Sequence, residues 1–172
     1  MAGDGTHDLR EIRHALHRLA EPSGDERATA ERVASALDGV DVVRNTGGHG
    51  LAAVIQGASP GPTVMLRADL DALPIPESRD LPHASRDPNC SHRCGHDGHM
   101  TMLIGALRRL ASKPPPQGRV VGLFQPAEET GEGAMAVIHD PVFGSIAPDV
   151  AVAAHNLPGY PMRAVVIRAG TM

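Results

Sequence analysis

Aromatic side chains are nearly absent from this sequence. Its 172 residues include no Trp, one Tyr (Tyr160) and two Phe (Phe124 and Phe143), so a core must be built from Val, Leu, Ile, Ala and Met. Cysteine is as scarce: Cys90 and Cys94 are the whole complement, four positions apart. No apolar run approaches the roughly 18 residues of a membrane span. The opening Met-Ala-Gly-Asp-Gly-Thr-His is polar with no apolar stretch behind it, which reads against a secretory signal. In such a chain a close cysteine pair is expected to be reduced or metal-binding rather than a structural disulfide, and the cytoplasm is the expected compartment. An excess of basic charge is missing too. Sixteen Lys and Arg stand against twenty Asp and Glu, a net charge of -4, and the basic residues are scattered. Neither a nucleic-acid surface nor a membrane partner is expected.

What remains is the composition of one globular domain: 41% hydrophobic, 21% charged, with no low-complexity tract. A chain of this length buries roughly 70% of its unfolded surface on folding. Leu9, Ile12, Leu16 and Leu19 recur at helical spacing. A second helix is expected after Ser23-Gly24, with Ala28, Val33, Ala34 and Leu37 on its buried face. Ser23 and Glu26, three apart, fit a capping box for it. Strands are expected at Val40–Arg44, Leu51–Ile55, Thr63–Leu70, Arg119–Phe124 and Asp149–His155, with a last β-prone stretch at Arg163–Arg168. A helix from about Gly98 to Leu110 presents Met102, Leu103, Ala106, Leu107 and Leu110, and Pro114-Pro115-Pro116 stops it. Another helix covers about Gly133 to Ile138. The loop Leu73–Cys90, about 18 residues without structure of its own, is long enough to suggest a function. Strands alternating with helices indicate an α/β sandwich around a mainly parallel sheet, with no internal repeat.

Four polar segments fall at strand ends or a helix start. Strand Thr63–Leu70 runs into Asp69 and Asp71, and Arg119–Phe124 into Gln125-Pro126-Ala127-Glu128-Glu129. Asp149–Ala154 ends on His155, and the helix after the long loop opens with Cys94-Gly95-His96-Asp97-Gly98-His99. Open α/β sheets bind ligands beyond the carboxyl ends of their strands, so all four segments are brought to one rim. Each has a plainer reading: Asp69 and Asp71 as turn formers, the glutamates as a solvated surface, His155 as a satisfied histidine. Cys94 and His96 make a stronger signal, because thiolate and imidazole at this spacing can chelate an ion. Cys90, His92, Cys94, His96 and His99 could alternatively form a structural zinc knuckle, which would leave Glu128 and Glu129 unexplained. Amide hydrolysis needs an ion to polarise the carbonyl and a carboxylate to carry a proton, and adjacent glutamates can divide those roles.

Arg67-Ala68-Asp69-Leu70-Asp71-Ala72-Leu73-Pro74-Ile75, His92 to His99, Phe124 to Glu129 and Ala154 to Gly159 resemble, in order, the four signatures of a known family. His17 to Glu26 resembles its opening helix junction. The family is the aminoacylase, hippurate hydrolase and indole-acetyl-amino-acid hydrolase group of dinuclear metallopeptidases. The resemblance implies a zinc-peptidase-like three-layer α/β sandwich. It implies Cys94, His96, Glu129 and His155 as metal ligands, Glu128 as general base, and Asp69 and Asp97 as groups that orient ligands. It implies two divalent ions, manganese or zinc foremost and cobalt or nickel as alternatives, and a small N-acylated amino acid as substrate. Family members commonly have alanine at Arg93 and proline at Ala20. They are also about twice as long, adding a lid domain that usually dimerises and a return to the catalytic sheet with one more metal-binding histidine. Residues 1–172 are therefore expected to be a partial catalytic domain, truncated before the lid and inactive or weakly active alone. The alternatives are a catalytically silent metal-binding fragment and a structural zinc protein.

Overall fold

The computed structural model describes residues 5–167, with side chains from residue 8 onward. The elements are α1 (Gly5–Leu19), α2 (Arg27–Ala36), β1 (Asp41–Thr46), β2 (Gly50–Gln56), β3 (Thr63–Asp69), α3 (His96–Ser112), β4 (Arg119–Gln125), α4 (Gly133–His139), α5 (Phe143–Ile146) and β5 (Val150–Ala153). The strands form one sheet in the order β1-β2-β4-β3-β5. β3 pairs in parallel with β4 and β5, whereas β2 is antiparallel to both β1 and β4. The sheet is therefore mixed, with four strands running one way and β2 alone reversed.

Alternation along the strands builds two cores, because successive side chains leave opposite faces. On one face Leu51, Ala53, Ile55, Ala68, Val120 and Phe124 pack under Ile12 and Leu16 of α1, Val33 of α2, and Met100, Ile104 and Leu107 of α3. On the other, Ala52, Met65, Val121 and Leu123 meet Val137 of α4 and Ile146 of α5. The result is the expected three-layer sandwich. Each large side chain so buried contributes about 1.5–3 kcal/mol, with no aromatic larger than Phe124 in either core. Among the described residues no helix is long and apolar enough to cross a membrane.

Several local expectations shift. In α3 the buried stripe is Met100, Leu103, Ile104 and Leu107, while Met102 is 56% exposed. That stripe has spacing i, i+3, i+4, i+7, and Met102 lies about 100° off it. In α2, Thr29 and Ala30 are buried and Ala28 is exposed. The capping box does not form: Glu26 itself is the N-cap residue and makes no side-chain cap bond. Its carboxylate and the Ser23 hydroxyl are engaged across the fold instead. Residues 163–167 form no strand, with Arg163 at φ 68, and Arg168 lies outside the described residues. The short helix α5 has too few residues for a periodic signal.

The loop from Leu73 to Cys90 is irregular but well tied. Leu73 bridges Ser91, and Pro22 bridges Ala72. Glu77 Oε1 accepts the Ser85 amide at 2.5 Å, Arg79 donates to Ser85 O at 2.8 Å, and the Arg86 amide donates to Arg18 O at 3.0 Å. Arg93 donates to Pro76 O at 2.7 Å, so its guanidinium braces this loop.

Candidate metal centre

β3, β4 and β5 are parallel, so their carboxyl ends share one rim of the sheet. There β3 ends in Asp69 and runs on to Asp71, β4 delivers the Pro126–Glu129 turn, and β5 leads to His155. α3 starts at the same rim with His96. Gly95, its N-cap, has φ 90, and a Cβ there would stand 2.4 Å from Asn156 Oδ1. The positive φ favours glycine, and a larger residue would also have to displace the Asn156 side chain.

His96 is fully buried and central. Its ligand atoms lie within 4.8 Å of three pairs: Cys94 with His155, Glu128 with Glu129, and Asp69 with His99. Nδ1 lies 2.8 Å from the Asp71 carbonyl oxygen, so Nδ1–H donates there and Nε2 is left bare. Nε2 is buried with no hydrogen-bond partner, 3.8 Å from Glu128 Oε2 and 3.9 Å from Glu129 Oε1. Those distances are too long for hydrogen bonds. They suit atoms that share an ion about 2 Å from each, which stand about 3–4 Å apart. Glu129 Oε1 is buried and unpartnered as well. His155 repeats the arrangement. Its Nδ1–H donates to the Asn156 carbonyl at 2.8 Å, and Nε2 faces Cys94 Sγ at 3.3 Å. A sulfur, two bare imidazole nitrogens and a buried carboxylate oxygen form a donor set that fits a divalent transition metal.

The electrostatics agree. Burial pushes the Cys94 thiol up to about 11, and Glu129, Glu128 and Asp69 push the same way. A cation would reverse that penalty, since thiolate is the ligand form. Burial pulls His96 down, but the Asp71 carboxylate and carbonyl outweigh it and leave it raised. Burial raises Asp69 despite the Arg67 guanidinium 2.6 Å away.

Asp71, read in the sequence only as a strand-end residue, is fully buried and connects the parts. Its Oδ2 accepts the Ser23 hydroxyl at 2.7 Å and the Glu129 amide at 2.9 Å, while Oδ1 lies 3.4 Å from His96 Nδ1. Burial opposes its charge, yet these donors hold its carboxyl at about 2. The alternation of Asp69 and Asp71 was the only available signal.

Asp97 turns away from the ligands. Its Oδ2 accepts from His17 Nδ1 at 2.9 Å and Arg13 Nε at 3.1 Å, and His17 Nε2 meets Glu77 Oε2 at 2.9 Å. This chain joins α1, the long loop and α3, and no periodicity announced it. His99 Nε2 lies 2.5 Å from Asn156 Oδ1 and 3.2 Å from the Asn156 amide nitrogen. One nitrogen cannot serve both, and the shorter contact, to an acceptor, makes it the donor. The zinc-knuckle set is not gathered. Cys90 is buried against Ala20 and Ala72, and neither it nor His92 joins a ligand group among the described residues. Both cysteines are free.

The family described as "Peptidase family M20/M25/M40" matches residues 65–170. The chain is 37% identical to a hippurate hydrolase of Campylobacter jejuni over 167 residues, 96% of this chain and 43% of that protein. It is 38% identical to an N-acetyl-L-cysteine deacetylase of Bacillus subtilis over 94% of this chain and 39% of that protein. A 48% identical stretch of 127 residues lies in a Rhodococcus jostii protein named as a putative glutamate–cysteine ligase, covering 73% of this chain but only 16% of that protein. A crystal structure of a dinuclear metal-binding M20 peptidase from Bacillus subtilis superposes with a TM-score of 0.84 at 33% identity, over 92% of this chain and 46% of that one. The chain spans under half the length of the hydrolase and deacetylase it matches.

Proposed function

The chain belongs to peptidase family M20/M25/M40, and from that membership we propose that it carries the metal centre of an amidohydrolase acting on small N-acylated amino acids. One observation carries the reading: the buried, partnerless His96 Nε2 faces both glutamates from 3.8 and 3.9 Å, with Cys94 and His155 beside it. Cys94, His96, Glu129 and His155 would hold two divalent ions, manganese or zinc. Bound there, the ions polarise the scissile carbonyl and acidify the attacking water.

Glu128 takes a proton from that water and passes it to the leaving amine. The two glutamates differ in exposure: the Glu128 side chain is 36% exposed, Glu129 only 19%. That difference supports Glu128 as the group reaching solvent and Glu129 as the ligand. Asp71 holds His96 with Nε2 facing inward. Asp69 lies beside His96 and His99, where it would orient the ligands, and Asp97 anchors the start of α3 to α1 through His17.

The hippurate and N-acetyl-cysteine hydrolases among the relatives support the substrate class. A cavity of about 290 Å³ adjoins His155, lined among others by Asn156, Leu157, Tyr160, Met162 and Arg163. The segment 155–166 that lines it is exposed throughout, so it is an open concavity in which Arg163 could meet a free carboxylate. Residues 1–172 then act as the metal-binding part of a larger catalytic unit, binding metal but turning over slowly by themselves. Two free thiols, Cys94 at the centre and Cys90 buried away from it, fit a reducing compartment such as the cytoplasm.

Metal analysis together with hydrolysis of hippurate or N-acetyl-methionine tests the reading. Glu128→Gln should lower hydrolysis at least about a hundredfold and leave metal content unchanged. A Glu128→Gln variant that hydrolyses these amides as fast as a parent with measurable turnover, or a parent that binds no divalent ion, refutes it.

A further inference from the structure

Ser23 and Glu26 carry the spacing of a capping box, yet neither side chain caps α2. Glu26 is fully buried, and its Oε1 accepts two amides, Gly24 and Ala127, each at 2.8 Å. Ala127 is 101 residues away in the chain. Ser23 donates to Asp71, the carboxylate that also accepts the Glu129 amide. Two buried carboxylates thus hold the amides on either side of Glu128.

We propose that Glu26 is a positioning residue of the metal centre: by holding the Ala127 amide it fixes the turn that aims Glu128 and Glu129 at His96. The inference rests on the roles assigned above to those two glutamates. Ala127 has φ 47, in the left-handed region that a residue with a Cβ leaves unless it is held there. Its carbonyl accepts the Gly133 amide at 3.0 Å, so Glu26 supplies the matching restraint on the amide side. Two amides held by one buried side-chain oxygen are a strong restraint, because little solvent competes for it. Relaxation of Ala127 would swing both glutamates, whose carboxylates stand several bonds from the backbone. A shift of about 1 Å at such groups is enough to impair a site. A helix cap would need none of this, since α2 takes no side-chain bond from Glu26.

The test compares cobalt and zinc affinity, and the visible spectrum of bound cobalt, in the 172-residue chain and two variants. Glu26→Gln keeps an acceptor for the Ala127 amide. Glu26→Met fills the same buried space without one. The proposal expects Glu26→Gln to stay within about threefold of the parent affinity, and Glu26→Met to lose about tenfold or more with a changed cobalt spectrum. If Glu26→Met does not fold, Glu26→Asp replaces it, drawing the carboxylate back by one methylene. Parent affinity and spectrum in the methionine or aspartate variant, even at lowered stability, would make Glu26 merely structural and overturn the proposal. So would a glutamine variant as impaired as the methionine one. A parent chain that binds neither metal sinks the functional reading itself, whereas a binding parent with unaffected variants sinks this inference alone.

Discussion

His96 belongs to all three ligand groups at the rim, whereas His155 and Glu129 each belong to one. Its replacement should therefore be the most damaging. His96→Ala is expected to weaken metal binding by more than about a hundredfold, and His155→Ala by less, because Cys94, His96 and Glu129 remain as ligands. Dialysis against a chelator followed by metal analysis ranks the two, and equal losses would contradict a central His96. A second residue-scale prediction concerns His17, which lies outside the ligand groups. The hydrogen bond it donates to Asp97 raises its pKa most, burial opposes this, and Glu77 raises it further. His83 and His92 lie against its ring, Arg13 shares its Asp97 partner, and His14 stacks on His83. A raised folded-state pKa means that the stabilisation is fully present below the unfolded value near 6.5 and is lost as pH rises through the folded value. Burial lowers His92 to about 4, so its contribution runs the opposite way, between 4 and 6.5. The metal-free parent should thus lose melting temperature relative to His17→Gln as pH is raised above 6.5. A parent–variant difference that does not change with pH would show that His17 is not charged in the fold.

At the scale of elements, Glu128 and Glu129 are placed by the irregular turn between β4 and α4 rather than by either element. Gly133 opens α4, and a Cβ there would stand 1.6 Å from the Pro126 carbonyl oxygen, which is backbone and cannot step aside alone. Gly133→Ala should therefore move the whole 126–133 turn. It is expected to cost about 1–3 kcal/mol in urea unfolding and to weaken metal binding in the same protein. The control is Gly131→Ala, at a position with φ 75 and nothing within 4 Å of an added Cβ. That substitution carries backbone strain without the clash. Metal affinity retained in Gly133→Ala would mean that the turn is not what aims the glutamates.

At the scale of the whole molecule, β5 stands at one end of the sheet with every residue exposed, Val150 at 54% and Val152 at 50%. The chain after it exposes Leu157, Met162, Val165 and Ile167. An open strand edge beside apolar side chains invites pairing with another chain. The 172-residue chain alone should self-associate as concentration rises, and Val152→Lys should suppress this by placing a charge on the edge strand. Size-exclusion chromatography with light scattering measures both, and a monomer at all concentrations would contradict the expectation.

The residues themselves determined the class of the fold, the order of its elements and which side chains reach the rim. Hydrophobic spacing is local information: Ile12 with Leu16, or Leu103 with Leu107, repeats at the helix period wherever the helix ends up. Glu128, Glu129 and His155 were legible because they come just after strands, and Cys94 and His96 because they stand at the start of a helix, so the direction of each element sets where they lie. Tertiary structure decided the partners. Ser23 and Glu26 look like a cap in sequence, because two polar residues three apart read the same whether they bond to the next turn or to strand ends 48 and 101 residues on. The Glu77–His17–Asp97 chain and the joining role of Asp71 stayed hidden for the same reason. A buried carboxylate takes whichever donors packing brings within 3 Å, and that distance exists only once the layers have closed.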